Sequence, residues 1–570
     1  MKIVVVGGVA AGASAAARAR RLSEAAEILV LERGNHVSFA NCGLPYHIGN
    51  VIPDREELLL QTPESLQRNL NIEVRTGHNV LAIRPDDRLV EVQDIAAGKT
   101  YTESFDKLVL APGARPIRPP LPGIDHPRVL TLRDIDDMDR IKEVVDAKIE
   151  RAVVIGGGYI GVEMAENLVE RGIAVELVEL QDQIMAPLDP EMARPLQYHM
   201  EWKGVILHLG AGAQSFEESD GKVRVFLSTG TELLADLVIL AVGVRPESDL
   251  AKAAGLRIGP RGGIVVNRHM LTSHPDVYAA GDAVEVLNPI TGLPALVPLA
   301  GPANRQGRIA ANHIFGKPGA YLATQGTAIV KLFDMTGGGT GANEKALRAS
   351  STPYRKVYVH PSGHAAYYPG TAPIHLKLLF SPDSGELFGA QVVGFDGVDK
   401  RIDVLATAIQ AGMTVFDLQD LELAYAPPFG SAKDPVNMAG FVGANLLQGD
   451  IHLWYAEDHQ MALTSGTIVD VRTPEEFEEF HLPGAINLPL DTLRTRHPSL
   501  AQERPVYLYC QVGFRSYLAF RILTQLGFDA YTLSGGVVTY CQVHGSEMCD
   551  GRPMAPVVPY AEAVSGRCRK

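Results

Sequence analysis

Cysteine is scarce in this chain, with five residues among 570: Cys42, Cys510, Cys541, Cys549 and Cys568. So few thiols form no disulfide framework, and their spacings match no zinc-ligand pattern. Each is expected to be a free thiol, either inert or catalytic. An uninterrupted apolar run of about 18 residues is also missing, as is a charged-then-apolar leader ahead of MKIVVVGG, so neither a membrane span nor a secretory signal is expected. A basic excess is missing too. With 66 acidic against 52 basic residues and a net charge of −14, nucleic acid and anionic membranes are excluded as general partners, and a phosphate-bearing ligand needs a local basic patch. These absences predict a cytoplasmic protein.

The composition that remains is that of an ordinary globular protein, 46% hydrophobic and 21% charged, with 56 glycines for tight turns. A chain of 570 residues exceeds what one core serves, so three or four domains are expected.

A strand, glycine turn and helix occur twice, in "KIVVVGGVAAGASAAARARRL" from Lys2 and "RAVVIGGGYIGVEMAENLVERG" from Arg151. Both open like a dinucleotide fold, and two such units predict two dinucleotides. The second fits the G-x-G-x-x-G register with Gly156, Gly158 and Gly161. Its next strand ends at Glu179, 18 residues past Gly161, where a carboxylate suits both ribose hydroxyls. "LQDQ" follows without Arg or Lys to meet a 2′-phosphate, which predicts NADH rather than NADPH. The first unit keeps Gly7 and Gly12 but has Val9 at the middle position, with Gly8 adjacent to compensate. Glu32 follows 20 residues after Gly12, again suited to a ribose.

With "LVLAPGARP" (108–116), "VILAVGVRP" (238–246) and "DVYAAGDA" (276–283), the chain resembles the pyridine-nucleotide disulfide oxidoreductases. The resemblance implies an α/β fold with two Rossmann-like dinucleotide-binding domains, FAD over 1–148 and 246–322 and NAD over 149–245. It implies an FAD site of Gly7, Gly8, Val9, Ala10, Gly12, Glu32, Arg33, Asn41, Val80, Ala111, Asp282 and Ala300. Gly156, Gly158, Tyr159, Ile160, Gly161, Glu179 and Gly243 would form the NAD site. Strands such as "TAIVKLF" and "IHLKLLF" and the helical "RIDVLATAIQAGM" then fit the family's α+β dimerisation domain, over 323–446, and imply a homodimer.

"IVDVRTPEEFEEFHLPGAINLPL", "VYLYCQVGFRSYLAFRILTQLGF" and "LSGG" resemble a C-terminal α/β rhodanese domain over 457–555. A buried strand is expected to end at Cys510 and a helix to begin after Arg515. Backbone N–H groups of the loop, the helix N-terminus and Arg515 would favour a thiolate. The six residues from Cys510 to Arg515 match the loop length by which rhodaneses hold a transferred sulfur rather than a phosphate, which implies a persulfide carrier. Cys541 lies near that loop or simply packs.

Disulfide-reducing flavoenzymes normally carry two neighbouring thiols, but Val37 and His47, five positions either side of Cys42, are not cysteines. "SFANCGLPYHIG" resembles the single-cysteine branch of the family, which comprises coenzyme A disulfide reductases, NADH peroxidases and NADH oxidases. The peroxidases and oxidases keep a histidine in the first glycine turn, and "GGVAAGAS" has none. The reductases carry arginines on the first helix, matched by Arg18, Arg20 and Arg21, of which 18 and 21 share a face. Ser14, Arg18, Arg21, Ser38, Asn41 and Lys433 are then implied to bind coenzyme A. Tyr425 of "YAPPFGSAKDPVN" and Tyr367, with Tyr368 as the neighbouring register, match tyrosines that reach the active site from the partner subunit.

The resemblance implies that the second thiol belongs to the substrate: a Cys42–S–S–CoA mixed disulfide forms and is reduced by NADH through FAD. Substrates would be CoA persulfide, polysulfide and CoA disulfide, with Cys510 supplying sulfane sulfur and Arg515 assisting. Other readings are a dedicated CoA disulfide reductase, an NADH peroxidase or oxidase, and a sulfur-relay or redox-sensing protein.

Overall fold

The computed structural model describes residues 1–545, so Cys549, Cys568 and the last part of the expected rhodanese span lie outside the described residues. The described residues form two compact units, one of residues 1–184 and 204–326, the other of 185–203 and 327–545.

The first unit holds two five-stranded parallel sheets. One is ordered Val277–Ala279, Lys107–Leu110, Lys2–Val6, Glu27–Leu31, Glu73–Arg75, and the other Ile206–Leu209, Ala174–Glu179, Arg151–Ile155, Leu237–Leu240, Val129–Thr131. Their strands are runs of Val, Ile and Leu because both faces are covered, as parallel sheets require; Val4, Val5, Val154 and Leu237 are wholly buried. Each buried side chain of this kind stabilises the sheet by about 1.5–3 kcal/mol.

Strands Lys2–Val6 and Arg151–Ile155 turn into helices Ala10–Leu22 and Tyr159–Glu170 through the same glycine geometry. Gly7 and Gly156 take φ of +94° and +109°, and a Cβ on Gly12 or Gly161 would lie 1.8 Å from the carbonyl oxygen of Gly7 or Gly156. Any side chain there would push the helix off its strand.

In the second unit an antiparallel sheet is ordered Ala328–Leu332, Met335–Gly341, Leu387–Gly394, Ile374–Phe380, Arg355–Val359, with helix Val398–Gln410 packed on it. A parallel sheet follows, ordered Leu453–Trp454, Ala530–Leu533, Val506–Tyr509, Thr467–Asp470, Ile486–Asn487. Helix Pro190–Trp202, which the sequence expectation places in the NAD domain, groups with this unit. Its entry residues Asp189 and Glu191 accept hydrogen bonds from Lys377 Nζ at 2.7 and 2.5 Å, and Glu344 accepts a third at 2.5 Å. Three buried carboxylates thus gather around one buried ammonium. Among the described residues no helix is long and apolar enough to cross a membrane.

Candidate functional site

A cavity of about 670 Å³ opens beside the first glycine turn. Gly7, Val9, Ala10, Glu32, Arg33, Asn41, Val80, Ala111 and Asp282 line it, nine of the residues assigned from sequence to FAD. Gly8, Gly12 and Ala300 are not in its wall. Gly8 instead donates its N–H to Glu32 Oε2 at 2.7 Å, and Gly34 N–H donates to Glu32 Oε1 at 2.8 Å, so this carboxylate stitches the glycine turn to the end of its strand. The NAD-type unit repeats the device: Gly157 and Gln181 N–H donate to the two oxygens of Glu179 at 2.7 and 2.8 Å.

Burial pushes the Asp282 carboxyl up to about 6, with Arg133 opposing the shift. Glu247, which sequence reasoning missed, receives Arg33 and Arg133 at 3.1 and 2.6 Å. Burial alone would raise its carboxyl; the two guanidiniums hold it below the usual range. Both arginines are thus fixed at the cavity wall. The glycine turn, the carboxylate at the end of the next strand and the buried Asp282 make this wall fit a flavin dinucleotide, and its size is ordinary for a cofactor site.

Cys42 occupies a single 3₁₀ turn, Asn41–Gly43, reached through Ser38 at φ +46°. Ser38 N–H donates to Gly8 O at 2.9 Å, tying the thiol segment to the glycine turn. The thiol reaches solvent, yet desolvation by the surrounding protein, followed by the charges of Glu163 and Asp282, pushes it up. The next helix, Leu44–Ile48, docks on Tyr159–Glu170: a Cβ on Gly49 would lie 2.0 Å from Asn167 Oδ1, and Arg171 donates to Ile48 O at 2.8 Å. This brings the thiol turn under Glu163, a carboxyl that burial and then Glu166 push up to about 7. Tyr46 and Tyr159 rise to about 12, each first through burial and then through Glu163.

Above pH 7 the ionised Glu163 opposes the Cys42 thiolate. Glu163→Gln is therefore expected to lower the pH at which Cys42 ionises, read from the pH dependence of its alkylation rate. A midpoint that stays put or rises would contradict this coupling.

The first helix separates its arginines by role. Arg20 is buried, donating to the carbonyls of Leu70, Ser23, Glu24 and Asn71, and holds the fold. Arg18 donates to Asn312 Oδ1 at 2.8 Å, and Ser14 to Asn304 Oδ1 at 2.6 Å. Desolvation and then the like charges of Arg308 and Arg21 lower the Arg18 guanidinium, marking a basic patch of three arginines. Arg308 was missed because it comes from the distant helix Ala300–Ile314.

In the second unit the hydroxyls of Tyr367 and Tyr425 meet at 2.9 Å, while Tyr368 stands edge-on to His364. Both paired tyrosines are exposed, as is Lys433 beside the helix-capping Asp434.

Cys510 ends strand Val506–Tyr509 and is buried; Gly513 N–H points at its sulfur at 3.2 Å, the one such donor among the described residues. The helix begins at Phe514, not after Arg515, because Gly513 takes φ +99° and turns the chain early. Arg515 consequently sits in the first helical turn, with both Nη atoms on Glu476 at 2.7 Å. That pairing holds the Glu476 carboxyl down to about 2 and commits much of the Arg515 charge. Cys541 is buried on the helix Gly536–His544, whose N-terminal Val537 N–H donates to Cys510 O at 2.9 Å.

Family models match three stretches: pyridine nucleotide-disulphide oxidoreductase over 1–307, its dimerisation domain over 327–435 and a rhodanese-like domain over 455–542. The coenzyme A disulfide reductase of Staphylococcus aureus (strain JH9) is 36% identical over 442 residues, covering 77% of this chain and 99% of that protein. Two solved structures each cover 95% of this chain. Reduced Bacillus anthracis CoADR-RHD aligns over 98% of its length with TM-score 0.93 and 47% identity, and an NAD-dependent persulfide reductase from A. fulgidus over 100% with TM-score 0.89 and 36% identity. The chain belongs to the pyridine nucleotide-disulphide oxidoreductases, as an FAD- and NAD(H)-dependent enzyme of the coenzyme A disulfide reductase type joined to a C-terminal rhodanese-like domain.

Proposed function

We propose that this enzyme reduces CoA persulfide, with release of hydrosulfide, and CoA disulfide at Cys42, using NADH, and that Cys510 loads the sulfane sulfur. The observation that carries the reading is the lone Cys42 thiol in an exposed turn tied to the wall of the dinucleotide cavity. The other two cysteines among the described residues are buried in the rhodanese-like part. The names of the relatives, a coenzyme A disulfide reductase and a persulfide reductase, agree with it.

In this reading the Cys42 thiolate attacks the CoA-bearing sulfur; the S–S bond breaks, a Cys42–S–S–CoA disulfide forms, and hydrosulfide or CoA thiolate leaves. Held by the cavity wall of Gly7, Glu32 and Asp282, FAD would supply the two electrons and one proton of a hydride from NADH that return Cys42 as thiolate and CoA as thiol. Ser14, Arg18, Arg21, Ser38 and Asn41 hold CoA, the arginines clamping its phosphates. Tyr367, Tyr425 and Lys433 complete the site from the second copy of a homodimer, with a tyrosine hydroxyl protonating the departing sulfur. At Cys510 the sulfur sits in the six-residue loop beside Arg515. Small polysulfides offer a sulfane sulfur to the same thiol, forming a Cys42 persulfide and releasing the shortened polysulfide.

The test is anaerobic NADH oxidation with sulfide detection, supplying CoA disulfide and CoA persulfide in parallel. Faster persulfide turnover with stoichiometric sulfide is expected. Faster disulfide turnover with no persulfide advantage would make this a thiol-maintenance enzyme, and negligible turnover of both would favour a sulfur-relay or sensing role.

A further inference from the structure

A hairpin tip in the second unit spans two pieces of catalytic machinery that are far apart in sequence. It joins strands Arg355–Val359 and Ile374–Phe380, and its base is closed by Ile374 N–H to Pro361 O and Gly363 N–H to Ala372 O, both at 2.8 Å. Two buried histidines stand at that base, His360 Nδ1 and His375 Nδ1 facing each other at 2.8 Å. The other nitrogen of His360 meets Thr539 Oγ1 at 2.7 Å. Thr539 lies on the helix Gly536–His544, which holds the Cys510 loop by Val537 N–H to Cys510 O at 2.9 Å and Val538 N–H to Gln511 O at 3.2 Å.

Toward its other end the hairpin tip carries Tyr367, bonded to Tyr425, and is anchored by Ala365 N–H to Gly430 O at 2.8 Å and by Arg401 Nη2 to Gly363 O at 2.8 Å. Arg401 also grips Asp434, next to Lys433. A continuous path of hydrogen bonds and short backbone segments therefore runs from the Cys510 loop to the tyrosine pair.

Donation along the path is concerted, running one way or the other as a unit. Burial keeps both rings neutral, pushing His375 down to about 4 and His360 well below its ordinary value. Each ring then has one N–H and one acceptor nitrogen. If His375 Nδ1–H donates to His360, the His360 proton is on Nε2 and donates to Thr539. If His360 Nδ1–H donates to His375, Nε2 accepts from the Thr539 hydroxyl. The tautomer at the hairpin base and the orientation of the threonine hydroxyl are locked together. Gly535 secures the contact: at φ +72°, its Cβ would fall 2.0 Å from Thr539 Oγ1 and 2.9 Å from His360 Nε2.

We propose that Thr539, His360 and His375 are positioning residues that couple the sulfur-carrying loop at Cys510 to the Tyr367–Tyr425 pair through the 360–375 hairpin tip. The inference rests on the reading of Cys510 and the two tyrosines given above. It makes the placement of the tyrosines depend on the rhodanese-like helix.

The experiment uses the full-length FAD-loaded enzyme with Thr539→Val, which keeps shape and removes the hydroxyl, and Thr539→Ser, which restores it. Amide hydrogen exchange of peptides within 361–374 and NADH-linked reduction of CoA disulfide are measured side by side. Thr539→Val is expected to speed exchange in the hairpin tip and to lower kcat for CoA disulfide roughly ten- to a hundredfold with KM unchanged, as misplacement of a reacting group does. Thr539→Ser is expected to recover both. Wild-type exchange and kcat in Thr539→Val, with only sulfur transfer from thiosulfate to cyanide altered, would overturn the coupling. If Thr539→Val does not fold, His375→Gln probes the other end: altered thiosulfate-to-cyanide transfer supports the link and unaltered transfer overturns it. Should the wild type reduce no CoA disulfide, the functional reading fails on that assay, and the exchange comparison alone decides the coupling.

Discussion

Cys42→Ser is expected to abolish sulfide release and NADH oxidation with every sulfur substrate, a loss of at least about a thousandfold, as when a covalent nucleophile is removed. Cys42 is the one described cysteine in the dinucleotide-binding unit, and no neighbour can take over the mixed disulfide. Cys510→Ser is expected to behave differently. It removes the buried sulfur at the end of strand Val506–Tyr509 and should slow turnover only where sulfur must first be loaded, sparing small soluble persulfides. Steady-state sulfide release from both variants, with a loaded donor and with a small persulfide, checks the division. Equal losses in the two variants would mean that the two thiols act as one site, and the proposed order of transfer would fall.

The largest structural effect is expected from Lys377→Met. Lys377 is fully buried and its ammonium is the counter-charge of Asp189, Glu191 and Glu344, whose oxygens lie within 4.8 Å of one another. Methionine fills similar space but leaves three carboxylates in a low-dielectric site, which costs about 3–5 kcal/mol. Burial alone would raise the Glu344 carboxyl; Lys377 and Lys356 outweigh it and hold the group down to about 2. The stability from that depressed value is complete above the unfolded carboxyl's 4.5 and is lost as pH falls through about 2. In Lys377→Met the carboxyls rise instead, and protonation relieves the folded variant. The stability gap between wild type and variant, followed by denaturant unfolding, is therefore expected to narrow as pH falls from 7 toward 4.5. A constant gap would show that something other than Lys377 neutralises the cluster.

These two cases mark what could be read from the residues and what could not. Cys42, Cys510 and both glycine turns lie in short contiguous segments, where a strand, a turn and a helix follow from residue order and local sterics. The structure carries nine of the residues assigned to FAD on one cavity wall for that reason. The helix Pro190–Trp202 follows the NAD-type strands in sequence, yet the ammonium that draws its acidic entry into the other unit comes from a residue far along the chain. Helical periodicity put Arg18 and Arg21 on one face. It could not reveal that Arg20 turns inward to cap carbonyls at the end of the neighbouring helix Pro63–Leu70. Arg133, Glu247 and Arg308 carry no motif, and only packing brings them to the site. The His360–His375–Thr539 path spans 179 residues between its histidine and its threonine, and no periodicity links such positions.

The twin carboxylates Glu32 and Glu179 bear on attempts to re-engineer coenzyme choice. A designer wishing to admit the phosphorylated nicotinamide coenzyme would first neutralise Glu179, the carboxylate expected from sequence to meet the ribose. In this chain that side chain is also the clasp of its own glycine turn, accepting the Gly157 and Gln181 amides. Its removal would strip two backbone donors of their acceptor, one of them in the glycine turn itself. A successful redesign would need a replacement acceptor for those amides, such as a shorter hydroxyl or amide side chain, before any arginine is added.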